Sequence, residues 1–268
     1  MGEEVPEEVI KSIRPVRLNE FPYKDWTIRT SKSSIMTKEQ ENMIERALDL
    51  PHLPDMLFVK NGLSLQHKKG FGVRFCPIEA LKTVNATEDL VHVAMSKEWL
   101  EARSDHADIN KIAKRYDWTY TPSNYKGCLL NENSSKSGLK VSSTDEKIDY
   151  ERLKIKEKIV FFDEIILYED ELDDNGIAKL SIKIRAMPSG FFVLQRFFLR
   201  VDNTLIRVID TRLYHDVTKS YLLREYSERE SRTQDLKIPT ALFTDENEIV
   251  QHLNIVKEVT EKLSFPTE

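Results

Sequence analysis

The sequence predicts an α+β fold, antiparallel β-sheet flanked by helices in a single domain. Three observations carry that prediction. Between residues 165 and 214 apolar, β-branched runs alternate with turn signals. Before them, residues 38–50 place apolar side chains at three- and four-residue spacing. After them, residues 245–263 repeat that spacing, so helices gather on both sides of an antiparallel meander. A chain of 268 residues with 40% hydrophobic positions sustains one sizeable core. Its 8 Gly and 10 Pro fall below the roughly 12% combined share of an average protein, which argues against a linker-dominated or collagenous chain.

Taken in order, residues 1–22 mix acidic residues, three prolines and scattered apolar positions without a period. This predicts a flexible acidic arm outside the core, with the domain spanning 23–268. Partial alternation with β-branched residues follows over 26–36. Thr37 then supplies an N-cap with Glu39 and Glu41 in the first turn of a helix over 38–50, which Met43, Ile44, Ala47, Leu48 and Leu50 make amphipathic and Pro51 stops. Two short apolar runs at 56–60 and 63–66, separated by Asn61-Gly62, predict a hairpin, because both turn residues tolerate positive φ. Residues 73–76 read as a strand and Pro77 opens a short helix over 78–84. Residues 96–102 resemble another short helix, and 105–114 fit no single period.

The serine-rich stretch 131–138 predicts a polar loop. Residues 149–158 predict a helix capped by Thr144 or Asp149, giving way to a strand near Phe162. Four meander strands then lie at 165–168, 180–186, 191–201 and 205–214. Ser181, Lys183 and Arg185 share one face of theirs, and Leu180, Ile182 and Ile184 the other. Residues 245–263 close the prediction as an amphipathic helix against which Phe191, Phe197, Leu199, Leu205 and Ile209 would be buried.

Forty Lys+Arg against 45 Asp+Glu leave a net charge of −5, which removes the bulk attraction that drives nucleic-acid binding. The longest apolar stretch, 189–201, is interrupted by Gln195, Arg196 and Arg200, well short of the roughly 20 residues a membrane helix needs. The N-terminus is acidic where a signal peptide is basic, and Pro6 stands where a myristoylation pattern has Ser or Thr. With only Cys76 and Cys128, these features predict a cytosolic or nuclear protein without a disulfide framework. In that setting the sequons at Asn85 and Asn133 carry no consequence.

No catalytic constellation is legible. The six histidines show neither HExxH nor zinc-module spacing, and neither cysteine has a CxxC partner or a neighbouring His, so no metal or cofactor is predicted. The acidic run 169–174 lacks EF-hand spacing, and there is no GxSxG elbow, P-loop or GxGxxG. What stands out is charge among apolar strands: Arg196, Arg200, Arg207 and Arg212 with Asp210. Within the sheet, Asp210 would pair with Arg212 or Arg207 to neutralise a buried carboxylate. In a cleft, the same guanidinium groups would fork onto a partner's carboxylate. The aromatic set Trp118, Tyr120, Tyr125, Tyr214, Tyr221 and Tyr226 reads first as core or rim packing, and also as the residue type that interface hot spots favour.

Seven stretches carry a family resemblance: YDWTY (116–120), YKG (125–127), FFDEIILYEDEL (161–172), IKIRAMPSGFF (182–192), RFFLRVD (196–202), LIRVIDTRLYH (205–215) and LREYSERES (223–231). Together they resemble the TIPRL family, the TOR signalling pathway regulator-like proteins, over about residues 26–266. The resemblance implies a non-enzymatic α+β domain that binds the catalytic subunits of type 2A and related protein phosphatases and restrains them. It also implies a TOR circuit with a Tap-type phosphatase-binding protein, and a cleft for the phosphatase's acidic, aromatic, carboxylate-ended C-terminal tail. By match to the family's motifs, Asp210, Arg212, Tyr214 and Arg224 are the first partner-binding candidates, and Glu79 and Ile148 the second. The arm at 1–22 and the loop at 131–138 lie outside the resemblance. An enzyme with a non-local active site and a general scaffold are the alternative classes.

Overall fold

The computed structural model describes residues 15–266 apart from 49, 51, 85–116 and 131–137. The helix expected at 96–102, the stretch 105–114, nearly all of the 131–138 loop and the first fourteen residues of the arm lie outside the described residues. Two antiparallel sheets form the body. The smaller is built from β1 (Pro15–Tyr23), β2 (Trp26–Ser33), β4 (Gly62–His67), β5 (Gly72–Phe75) and β6 (Cys128–Leu130), in the order β1-β2-β4-β5-β6. The larger has the order β3-β8-β9-β10-β11-β12-β13-β7, and its centre is β8 (Phe161–Asp170), β9 (Gly176–Met187), β10 (Gly190–Val201), β11 (Leu205–Asp216) and β12 (Tyr221–Arg232). Its edges are β3 (Met56–Leu57) on one side, and β13 (Asn254–Ser264) with β7 (Lys140–Ser143) on the other.

The meander stands as predicted and extends further, because β12 continues it. Alternation decides what each face does. Ile182, Ile184, Phe191, Phe197, Leu199 and Ile209 are buried, and with Trp26, Ile28, Leu65, Val73 and Phe75 of the smaller sheet they form one core. The opposite face of the larger sheet is the outer face. It is covered at one end by α3 (Tyr150–Lys154) and at the other by 3-10 turns at Thr240–Thr244 and Ile249–His252. Asp149 caps α3, accepting from the Arg152 amide at 3.0 Å, so the second of the two predicted caps is the one used. The other helices are α1 (Lys38–Leu48), which buries Ile44 and Ala47 but leaves Met43 exposed, and α2 (Pro77–Leu81).

Three expectations are corrected. Residues 245–263 do not form an amphipathic helix. A short 3-10 turn, Ile249–His252, leads into β13, which pairs along β12 from Tyr221↔Ser264 to Glu230↔Asn254. Ile255, Val256, Val259 and Thr260 suit a strand, and the open edge of β12 supplies backbone partners that a helix would leave unmet. The core residues Phe191, Phe197, Leu199, Leu205 and Ile209 are buried as expected, but against the smaller sheet rather than a helix.

Asn61-Gly62 does not turn a hairpin either. β3 joins the larger sheet opposite β8, while β4 joins the smaller between β2 and β5. Asn61 links the two: its Oδ1 accepts from the Ser33 amide at 2.6 Å, and its Nδ2 donates to the Ile166 carbonyl at 2.5 Å. Finally, residues 15–22, placed by the sequence in an arm outside the core, belong to β1 along β2, and the buried Tyr23 that ends this strand donates its hydroxyl to the Met187 carbonyl at 2.7 Å.

Candidate functional site

On β11, residues 210, 212 and 214 share a parity, so Asp210, Arg212 and Tyr214 all reach the outer face. The antiparallel register brings Arg196 opposite Asp210, and Glu225 opposite Arg212. Asp210 is 1% exposed, and Arg196 grips it with a two-bond fork, Nε to Oδ1 at 2.7 Å and Nη2 to Oδ2 at 2.8 Å. Arg196 also donates from Nη1 to the Glu246 carbonyl at 2.6 Å and to Asn247 Oδ1 at 3.1 Å, fixing the chain just before the 3-10 turn. Arg212 Nη2 adds a third bond to Asp210 Oδ2, at 2.8 Å. The carboxylate is therefore neutralised chiefly by Arg196. Arg207, the other partner considered from sequence, has odd parity and pairs instead with Glu230 at 2.6 Å.

Arg212 is less deeply committed. Its side chain keeps 23% of its exposure, and its Nη1 makes only a long bond, 3.4 Å, to the Tyr150 hydroxyl. That hydroxyl donates to Glu225 Oε2 at 2.5 Å, while Glu225 Oε1 accepts from the Ile148 amide at 2.7 Å. Asp210, Arg212, Tyr150, Glu225 and Ile148 thus form one continuous network. Burial works against the Arg212 charge, but Asp210, Tyr150 and Glu225 beside it outweigh burial and raise its pKa. Burial raises the Tyr150 phenol, with Glu225 adding to the effect and Arg212 opposing it, so Tyr150 stays a neutral donor. Tyr214 packs with Ile148, Leu153, Met187 and Leu223 under α3, and its buried hydroxyl has no hydrogen-bond partner among the described residues.

Beside this network a groove of about 820 Å³ runs between α3 and the sheet, floored by Leu153, Met187 and Phe192 and flanked by Ile155 and Ile159. Arg185 and Arg212 line it together. Arg185 donates from Nη2 to the Leu153 carbonyl at 2.8 Å and lies 5.9 Å from the Phe192 ring centroid, with its buried Nε unpartnered among the described residues. Ile155, Ile159 and Phe162 are more than half exposed nearby, an apolar rim around two guanidinium groups. An anionic group with an apolar neighbour is the chemistry this arrangement accepts.

Two of the six sequence candidates lie elsewhere. Arg224 has even parity on β12 but opposes Leu213, so it faces inward, where it pairs with Glu261 at 2.7 Å and donates to the Lys126 carbonyl at 3.4 Å. Glu79 is on α2, paired with Lys82 at 2.9 Å, and lines a separate groove of about 380 Å³ along the smaller sheet. Asp210, Arg212, Tyr214 and Ile148 do come together. Sequence reasoning did not place Tyr150, Glu225, Arg185 or Phe192 at the site. Arg185 was legible as part of the polar face of its strand, whereas Tyr150 and Glu225 enter only through cross-strand register.

Burial raises the pKa of both cysteine thiols, that of Cys128 to about 12, which leaves neither activated as a thiolate. Among the described residues no group of three or more His, Cys, Asp or Glu side chains is placed to hold a metal ion, and no helix is long and apolar enough to cross a membrane.

Fold and site define a two-sheet α+β protein that presents a cationic, apolar-walled groove on the outer face of its larger sheet. The chain belongs to the TIP41-like family, whose model matches residues 56–237. It is 47% identical over 248 residues to the TIP41-like protein of Homo sapiens, covering 92% of this chain and 90% of that one. It is also 33% identical over 266 residues to the type 2A phosphatase activator TIP41 of Saccharomyces cerevisiae, covering 90% of this chain and 73% of the relative. A relative of the same description from Schizosaccharomyces pombe is 28% identical over 255 residues, covering 92% and 98%.

Proposed function

We propose that this chain is a non-enzymatic regulator that binds the catalytic subunit of type 2A family protein phosphatases, taking the subunit's carboxylate-ended C-terminal tail into the groove between α3 and the outer face. The observation that carries the reading is the pair Arg185 and Arg212 lining an apolar groove, with Arg212 held by Asp210 and Tyr150 so that its remaining edge is pre-aimed. A planar guanidinium donates two parallel bonds to a carboxylate, and its orientation by neighbours lowers the entropy lost on binding. Phe192, Ile155 and Ile159 give the tail's apolar or aromatic side chains a surface to cover. Asp210 and Tyr214 act here as supports, the one orienting Arg212 and the other packing α3 in place. Glu79 falls outside this groove, so its part in binding would be to another surface of the subunit, while Arg224, buried and paired with Glu261, would serve as a support.

The resemblance implies restraint of the phosphatase, whereas the two yeast relatives are named as activators. A groove that captures the tail is compatible with either sign, and dephosphorylation rate with and without the protein reads it. Membership of a TOR circuit, a Tap-type second partner and a cytosolic or nuclear location belong to the same proposal. The test is co-elution of the full chain with a purified catalytic subunit, together with calorimetry against its tail peptide carrying either a free or an amidated C-terminus. Binding of the free acid that weakens about tenfold or more on amidation supports the reading, since a charge-assisted bond is worth about 1.5–3 kcal/mol. Equal affinity for both peptides, or no complex with the subunit, removes it.

A further inference from the structure

Three turns converge at one end of the two sheets: β1–β2 with Lys24 and Asp25, β4–β5 with Lys68 and Lys69, and β11–β12 with Lys219. Between them lies a basin of about 900 Å³. Its floor is aromatic: Trp26, His67, Phe71 and His215 are buried, and Phe265 closes it from the C-terminal side. The floor is rigid by construction. His67 stacks on Phe71 with centroids 4.4 Å apart, and Trp26 meets His67 at 5.1 Å, Phe71 at 5.8 Å and His215 at 5.5 Å. The walls are tied as well. The Lys68 amide donates to the Asp25 carbonyl at 2.8 Å, and the Phe265 amide to the Ser220 carbonyl at 2.9 Å.

Charge is concentrated on the rim. Lys24, Lys68 and Lys69 are exposed on the rim and Lys219 stands at its edge, its ammonium 6.0 Å from the Tyr221 ring centroid, and among the described residues Asp25 is the lining carboxylate, bound to Lys68 at 2.8 Å. Burial lowers the pKa of both histidines, so near neutral pH the lysines carry the charge. On a chain of net charge −5 this is a local excess of opposite sign, the arrangement that draws in an anionic partner and orients it. The acidic remainder of the surface disfavours a long polyanion or a charged bilayer, which would have to run over it. A short acidic stretch of peptide meets only the basin.

We infer that the basin formed by Lys24, Lys69 and Lys219 over the Trp26–Phe265 floor is a binding site for an acidic peptide segment of the partner, separate from the segment that ends in the groove. The groove and the basin lie toward the same end of the larger sheet. Arg212 and Asp216 are four residues apart on β11, a span of about 14 Å, and the Lys219 turn follows directly. One partner therefore reaches both. The anionic groups of the segment are carboxylates or phosphoryl groups on the same peptide backbone, and both satisfy the chemistry. The inference rests on the proposed function only for the identity of the chain that brings the segment.

The experiment uses the full chain and fluorescein-labelled peptides of about six residues, ~20 Å when extended. One is all glutamate, one carries phosphoserines among glycines, and one is all glutamine. Binding is read by anisotropy at low and high salt, with Trp26 followed through its indole N–H resonance. The expected result is binding of at least one anionic peptide and not of the glutamine peptide, a shifted Trp26 signal, and about tenfold loss in a K24Q/K69Q/K219Q variant together with most of the salt dependence. Charge reversal at Lys219 alone (Lys219→Glu) should weaken binding in the same direction. Which of the two anionic peptides binds better identifies the source of the charge. Absence of binding by both, or binding unchanged in the folded triple variant, overturns the inference. If the phosphatase subunit still co-elutes undiminished with the triple variant, the basin is refuted while the groove reading stands. If the subunit fails to bind the unaltered chain but the peptides do bind, the reverse holds.

Discussion

Removal of the Arg196 side chain should be among the most damaging single changes available in this protein, more so than removal of Arg212. Asp210 is 1% exposed and takes two bonds from Arg196, whose own side chain is 7% exposed, and one from Arg212, at 23%. Arg196→Ala leaves the carboxylate with one partially exposed partner and frees the Glu246 carbonyl and Asn247 that hold the chain against the outer face. Breaking a buried pair from one side costs about 3–5 kcal/mol. Arg212→Ala leaves the Arg196 fork intact and removes one bond from a partly solvent-screened guanidinium, at about 1 kcal/mol. For a chain of this size each kcal/mol shifts the melting temperature by about 2–4 °C, so the two variants should melt roughly 6–20 °C and roughly 2–4 °C below the parent. Thermal unfolding followed by circular dichroism measures both. Equal shifts, or a shift under about 2 °C for Arg196→Ala, would refute the assignment of Arg196 as the main neutralising partner.

Arg212→Lys keeps the charge but loses the planar fork, so affinity for a free-acid tail peptide should fall about tenfold while the melting temperature moves little; an unchanged affinity in the folded variant takes Arg212 out of the site. Gln195 is fully buried and neither amide atom is hydrogen-bonded among the described residues, so Gln195→Met should stabilise the protein by about 1–2 kcal/mol, and a lower melting temperature would show that the amide has a partner in solution. Burial holds the His215 pKa below its ordinary value, so the folded state binds fewer protons there than the unfolded one. The stability this contributes is present above about pH 6.5 and is lost as pH falls toward the folded pKa. Chemical denaturation between about pH 7.5 and 5 should show that slope, and His215→Phe should reduce it to the part owed to His67.

The chain by itself determined those elements whose signals are local. The α3 cap at Asp149 depends on one side chain reaching an amide three residues on, and the β8–β11 meander on alternation and turn residues within each hairpin. The motifs that place the chain in its family are likewise contiguous runs. Tertiary structure decided whatever depended on a distant partner. Residues 254–264 carry an apolar spacing that a helix would also accept, and the open edge of β12 selected a strand. Asn61-Gly62 is a turn signal to its neighbours alone, yet the strands on either side enter different sheets and the Asn61 side chain bridges them.

For the site, parity along β11 already put Asp210, Arg212 and Tyr214 on one face, but register across three strands was needed to bring Arg196 to Asp210 and Glu225 to Arg212, and to turn Arg224 inward. Side-chain alternation has a period of two that any single strand reveals, whereas register is a property of pairs of strands. It is set by turn geometry and by burial of one face against the other sheet, which is why the site's charges were legible as a set and their partners were not.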